Sequence, residues 1–379
     1  DSFWTWRTLM YRFLDRLSPE DVQAIAAMVM LEMAEAGYAA VAEFHYLHHA
    51  PGGTPYDDLA EMSARIAAAA SETGLGLTHL PVLYERGGCD GRALTAGQLR
   101  FGNDPERFAK LWDGAAKALK SLPADTVLGV APHSLRAASA EGIRAAAALN
   151  PQTPIHIHVA EQMAEVTEVQ AATGARPVEW LIGNTDLSPR WCLIHATHLT
   201  PQETENLARS GAVAGLCPIT EANLGDGIFP AVDFLAQGGR LGIGSDSHVS
   251  VNMSEELRWL EYGQRLRDQR RNRLYRSDQP MVGRTLFDAA LDGGAQALGQ
   301  PIGRLEVGKR ADWIVLDGND PYLATATEDG ILNRWLFAGG DRQVRDVMVN
   351  GKWVVQQGRH AGEEQSAQAF AGVLREVLG

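Results

Sequence analysis

Cysteine is almost missing from this chain: three in 379 residues, Cys89, Cys192 and Cys217, with no C-x-x-C spacing. That excludes a disulfide framework and a cysteine zinc site, and it fits a reducing, cytoplasmic compartment. Positive charge is in deficit as well, 34 Lys+Arg against 47 Asp+Glu, for a net charge of −13. A surface that acidic has no general attraction for nucleic acid or anionic lipid, so neither is expected as a partner. No uncharged apolar run reaches the roughly 18 residues of a membrane span, so no membrane insertion is expected. No Gly-x-Gly-x-x-Gly follows a strand pattern, which removes a dinucleotide fold. The start, Asp1-Ser-Phe-Trp, is neither an initiator Met nor a signal peptide and reads as a chain entered partway through.

What is present is an alternation of short apolar runs with amphipathic Ala/Leu/Glu-rich stretches. The runs 39–44, 75–82, 127–131, 155–159, 191–194, 212–216 and 241–244 are apolar along nearly their whole length, as in parallel strands buried on both faces. Helical patterns cover 19–36, 56–72, 105–121, 139–149, 161–173, 201–210, 255–273 and 286–298, several opened by a Ser or Thr followed by proline. The expected fold is α/β, a TIM-like (β/α)8 barrel over residues 1–300. Beyond it, 302–316 and 344–355 alternate apolar and polar residues, and Asn350-Gly351 supplies a hairpin turn. Residues 301–379 are therefore read as part of a small β-sandwich domain with a terminal helix, two or three strands that need others to complete a sheet.

Polar residues gather where the strands end: Glu43, His45 and Tyr46; His133 and Arg136; His156, His158 and Glu161; His195 and His198; Cys217; Asp246 and His248. In a TIM barrel those ends form one rim, so residues distant in sequence converge there. Histidine and aspartate suit a divalent metal such as zinc, which lowers the pKa of a bound water toward neutrality. A carboxylate three residues after a ligating histidine, as in His158-x-x-Glu161, can carry a proton to a leaving group. His156 is expected on the opposite side of its strand from His158, as structural filler. His45, His48 and His49 are read as rim or packing, and the 84–101 loop as either a lid or ordinary surface. Trp259 and Trp335 are read as either interface residues or core packing.

The set His158-x-x-Glu161, His195-Ala, Cys217-Pro218, Asn223-Leu-Gly-Asp-Gly227 and Gly-Ser-Asp246 resembles the deaminase branch of the amidohydrolase superfamily. The run Gly303-x-Leu-x-x-Gly308-Lys-x-Ala-Asp312 is similar to that superfamily's β domain. Longer words (WTWRTLMYR, AEFHYLHH, LPVLYERGG, APHSLRA, CPITEANLGDGIFP) resemble its deiminases of N-formimino-L-glutamate, a small dianionic amino-acid derivative of histidine degradation. The resemblance implies one Zn2+ per subunit, with His158 and Asp246 as metal ligands. It implies Glu161, His195 and Asp246 as catalytic groups, and Arg7, Tyr46, His133 and Arg136 as the residues that hold the substrate's carboxylates. It also implies a homodimer. The alternative is another deaminase of the branch, acting on a purine, a nucleoside or a small amidine.

The same family takes two further metal ligands from a His-x-His at the end of its first strand. Here the pair His156-x-His158 belongs to a later strand, and seven barrel strands are counted where eight are needed. About 70 residues carrying that strand are expected upstream of Asp1, which makes a protein of roughly 450 residues.

Overall fold

The computed structural model describes residues 13–378. Helix α1 (Pro19–Glu35) opens on Ser18, whose hydroxyl accepts the Asp21 N–H while the Asp21 carboxylate accepts the Ser18 N–H. Such a reciprocal cap satisfies donors that a helix start leaves open. The strands follow in the anticipated rhythm: β1 (Ala40–His45), β2 (Gly76–Leu83), β3 (Val127–Leu128), β4 (Ala131–Pro132), β5 (Ile155–Val159), β6 (Trp191–His195), β7 (Val213–Leu216) and β8 (Arg240–Ile243). All of them pair in parallel. β2 takes β1 on one side and both β3 and β4 on the other, and β5 to β8 pair in sequence. The two sheets meet at the Val130–Ile155 bridge, so the strands form one continuous curved wall.

The third run is broken in two at Gly129, where a Cβ would lie 2.6 Å from the Pro154 carbonyl oxygen. Only glycine lets the wall bend there. No ladder joins β8 to β1 among the described residues. A cavity of about 440 Å3 opens there, bounded by β1, the apolar face of α1 and the inward side chains His156, His158, Cys217 and Asp246. His156 therefore shares a face with His158: residues two apart on a strand point the same way, which corrects the expectation that they oppose. Its role is still structural, because Nε2 donates to the Ala297 carbonyl at 2.8 Å.

The C-terminal unit is one antiparallel sheet of β9 (Trp313–Leu316), β10 (Val344–Val349), β11 (Lys352–Gln356) and β12 (Arg359–His360), in the order β12-β11-β10-β9. Asn350 and Gly351 both take positive φ, 51° and 74°, the turn that their pairing demands. The strand expected across 302–316 is confined to its last four residues. Ahead of it, Gly303 and Gly308 reverse the chain at φ 88° and 93°. Arg310 then docks this segment on the barrel, reaching Asp125, Asp312, Gln300 and the Ala39 carbonyl. The terminal helix Glu363–Leu378 packs on α1, and Arg16 donates to the Val377 carbonyl at 2.7 Å. Trp335 is core, 1% exposed, with its indole N–H on the Gly340 carbonyl, so of the two tryptophans only Trp259 remains at the surface.

Candidate active site

The ends of β5, β6 and β8 carry backbone that most residues avoid. Ala160, His195, Ala196, Asp246 and His248 have φ between 44° and 66°. Left-handed backbone costs a non-glycine residue about 1–2 kcal/mol, so a cluster of such residues shows geometry held against local preference.

His195 is fully buried. Its Nδ1 donates to Glu221 Oε1 at 3.2 Å, and that oxygen also accepts the Cys217 N–H at 2.9 Å. Its Nε2 lies 3.9 Å from Glu161 Oε1 and has no hydrogen-bond partner among the described residues. Burial alone would drive the proton off. The Glu221, Glu161 and Asp246 carboxylates outweigh it and push the ring up to about 10, leaving an imidazolium with one free N–H. His158, 5.4 Å away between ring centroids, is held the opposite way. Burial, with His195 and Arg136 adding, depresses its pKa well below the usual range, so it is a neutral ring. Asp246 opens onto the cavity yet is walled in by protein; burial raises its pKa, His195 opposing and Glu161 and Glu221 adding. Asp226 is pushed up to about 7 by burial first and then by Glu161, and it accepts a hydrogen bond from the Gln162 amide.

No three His, Cys, Asp or Glu side chains among the described residues stand close enough together to hold a metal ion. Two donors of the right kind do face one cavity, the neutral imidazole of His158 and the carboxylate of Asp246. His158 Nδ1 is buried without a partner among the described residues. Negative charge from Glu161, Glu221 and Asp226 is in excess around them, so a divalent cation fits the site.

The opposite side of the rim is aromatic and cationic. His133 stacks on His158 at 5.2 Å, and Tyr46 meets His133 edge-on at 5.2 Å. Phe44 packs against His158 at 4.5 Å, and Phe101 and Tyr84 extend the cluster. Burial, then Asp246 and Glu161, keep the Tyr46 phenol protonated and therefore a donor. Arg136 stays charged against its burial because Glu165, Tyr84 and Glu161 surround it. Arg7 lies outside the described residues. The other seven predicted site residues converge on this rim.

The flanking histidines are accounted for by packing. His48 Nε2 donates to the Val82 carbonyl and His49 Nε2 to the Gly102 carbonyl, while His45 and His79 share the Glu43 carboxylate. The 84–101 loop is tied to the rim, with Arg86 on the Leu135 and Ala138 carbonyls and the Cys89 N–H on Glu168. Sequence reasoning missed Glu165, Glu221, Asp226 and Glu256, all buried acids beside the site. The available signal was an acid inside an otherwise apolar word just after a strand: Glu221 is four residues beyond Cys217, on the first turn of the helix Pro218–Leu224.

Residues 1–354 match the model of the amidohydrolase family. A formimidoylglutamate deiminase of Pseudomonas aeruginosa is 63% identical over 379 residues, all of this chain and 83% of that protein. The crystal structure of an amidohydrolase from Brucella melitensis superposes with a TM-score of 0.96 at 48% identity, covering 100% of this chain and 84% of that one. An adenosine deaminase from Xanthomonas campestris with bound zinc superposes at 0.82 with 22% identity, over 99% of this chain and 79% of its own. At that identity the likeness speaks for the fold alone.

Proposed function

This chain belongs to the amidohydrolase family, and from that premise we propose that it hydrolyses N-formimino-L-glutamate to N-formyl-L-glutamate and ammonia. The observation that carries the reading is the rim itself, with proton-handling acids and an imidazolium on one side and a phenol, a histidine and an arginine on the other. The likeness over the whole chain to a formimidoylglutamate deiminase supports the substrate.

His158 and Asp246 would hold a zinc ion, which when bound supplies Lewis-acid activation of water. Arg136 and Tyr46, with His133 beside them, bind and orient the substrate's carboxylates, a task suited to a charged fork and a neutral donor. Arg7 is proposed for the second carboxylate. Asp246 accepts a proton from the attacking water. Glu161, close to the free N–H of His195, relays that proton from Asp246 to the imino nitrogen as the new C–O bond forms. His195 holds the attacking oxygen through its free Nε2–H, a fixed donor where charge develops. Collapse of the tetrahedral carbon breaks the C–N bond, and the remaining hydroxyl proton leaves with ammonia.

The proposal carries with it a cytoplasmic homodimer, supported by three unpaired cysteines and the exposed Trp259. No helix among the described residues is long and apolar enough to cross a membrane. An ammonia-release assay tests the substrate. Turnover of N-formimino-L-glutamate should exceed that of adenosine or guanine by several orders of magnitude, and equal or faster purine turnover overturns the reading.

A further inference from the structure

Glu161 stands on a turn that its own sequence does not favour. The residue before it, Ala160, is held at φ 52°, in left-handed backbone, between the end of β5 and the helix Met163–Thr173. What holds it there is the carboxylate of Glu165, in the first turn of that helix. Glu165 Oε1 accepts the Ala160 N–H at 3.1 Å and Oε2 accepts the Glu161 N–H at 3.1 Å. Glu165 is 3% exposed, so neither bond competes with water. Burial raises its pKa above the usual carboxylate range, and the Arg136 guanidinium and the two N–H groups oppose that rise. Because both oxygens are engaged, the carboxylate grips two successive peptide N–H groups and fixes the direction in which the Glu161 side chain leaves the strand.

We infer that Glu165 is a positioning residue for Glu161: its carboxylate clamps the two N–H groups of the turn and aims the proton carrier at the site. The inference rests on the reading of Glu161 given above. A second consequence follows from the place of Glu165 beside Arg136. The Arg136 guanidinium and the Glu165 carboxylate act on each other electrostatically, so the clamp also lies in the field of the group proposed to hold the substrate.

The test compares Glu165→Gln, Glu165→Asp and Glu161→Gln in the metal-loaded protein, with kcat, KM, melting temperature and bound zinc measured for each. Gln keeps the shape but faces one of the two N–H groups with an NH2, whereas Asp keeps both acceptors on a shorter arm. The expected result for Glu165→Gln is a kcat at least 30-fold down with KM within threefold of the parent and zinc retained. Glu165→Asp should recover a substantial part of that kcat. If Glu165→Gln melts before assay, Glu165→Asp alone still decides, since a clamp predicts a lowered kcat at normal zinc content. Unchanged kcat in both Glu165 variants while Glu161→Gln is inactive overturns the positioning role. A KM raised tenfold at unchanged kcat also overturns it, because the residue then serves Arg136 only. Full activity in Glu161→Gln overturns the reading of Glu161 and the clamp with it.

Discussion

The two halves of the barrel rim differ in charge and in backbone. Along β5 to β8 the rim is acidic and five residues sit in left-handed backbone, while buried polar atoms without a partner among the described residues occur in both halves, His195 Nε2 and His158 Nδ1 in this one, His45 Nε2 and Arg136 Nε in the other. Along β1 to β4 the histidines His48 and His49 are bonded to carbonyls, and the rings of Phe44, Tyr46 and His133 pack on one another. On the proposed reading, the difference in charge separates proton transfer on one side from recognition on the other.

The largest effect should come from the acidic half. Asp246→Asn keeps the shape and removes the base, so kcat should fall by about 10²–10⁴-fold with KM little changed. Steady-state kinetics at saturating substrate checks this, and an unimpaired variant would break the division of labour. The cationic half should respond in the other parameter. Arg136→Met removes a charge-assisted bond worth about 1.5–3 kcal/mol, so KM should rise about 10–100-fold while kcat moves little. A fall in kcat alone would mean that Arg136 serves the proton-transfer side.

The smallest effect concerns stability. Glu256, fully buried on the helix Met253–Asp268, accepts the Ile219 N–H on Oε2 at 2.8 Å, and burial raises its pKa from 4.5 to about 9. A raised acid holds its proton more tightly when folded, so its contribution is fully present below pH 4.5 and is lost as pH climbs toward 9. Glu256→Gln has no proton to lose. It should match the parent near pH 4.5 and exceed it by on the order of 1–3 kcal/mol at pH 8, read from denaturant midpoints at the two pH values. Equal stability at both would show that the acidic half is not overcharged at its base.

Period and punctuation made much of the fold legible. The seven apolar runs became the barrel strands to within a few residues, and Ser18-Pro19 and Thr200-Pro201 start helices as their capping chemistry requires. The 302–316 segment was misjudged because its alternation of apolar and polar residues imitates a strand, while its two glycines at positive φ forbid one. Of the site, the histidines, Glu161 and Asp246 were visible because rare residue types recur at strand ends. Glu221 and Glu165 were not, because an acid in a first helical turn is ordinary, and nothing local shows that its oxygens reach back to a strand end.

Composition and periodicity by themselves determined the class of the molecule: a parallel α/β wall, a C-terminal β unit and a set of metal-compatible residues at the strand ends. Tertiary structure alone decided which of those residues carry charge. The imidazoles of His158 and His195 are the same chemical group, 5.4 Å apart. One is neutral and the other an imidazolium because His195 is ringed by Glu161, Glu221 and Asp246, whereas His158 is buried and lies beside the charged His195 and Arg136. A pKa is set by what surrounds a group in space, and that is decided only when the strands have brought distant residues together.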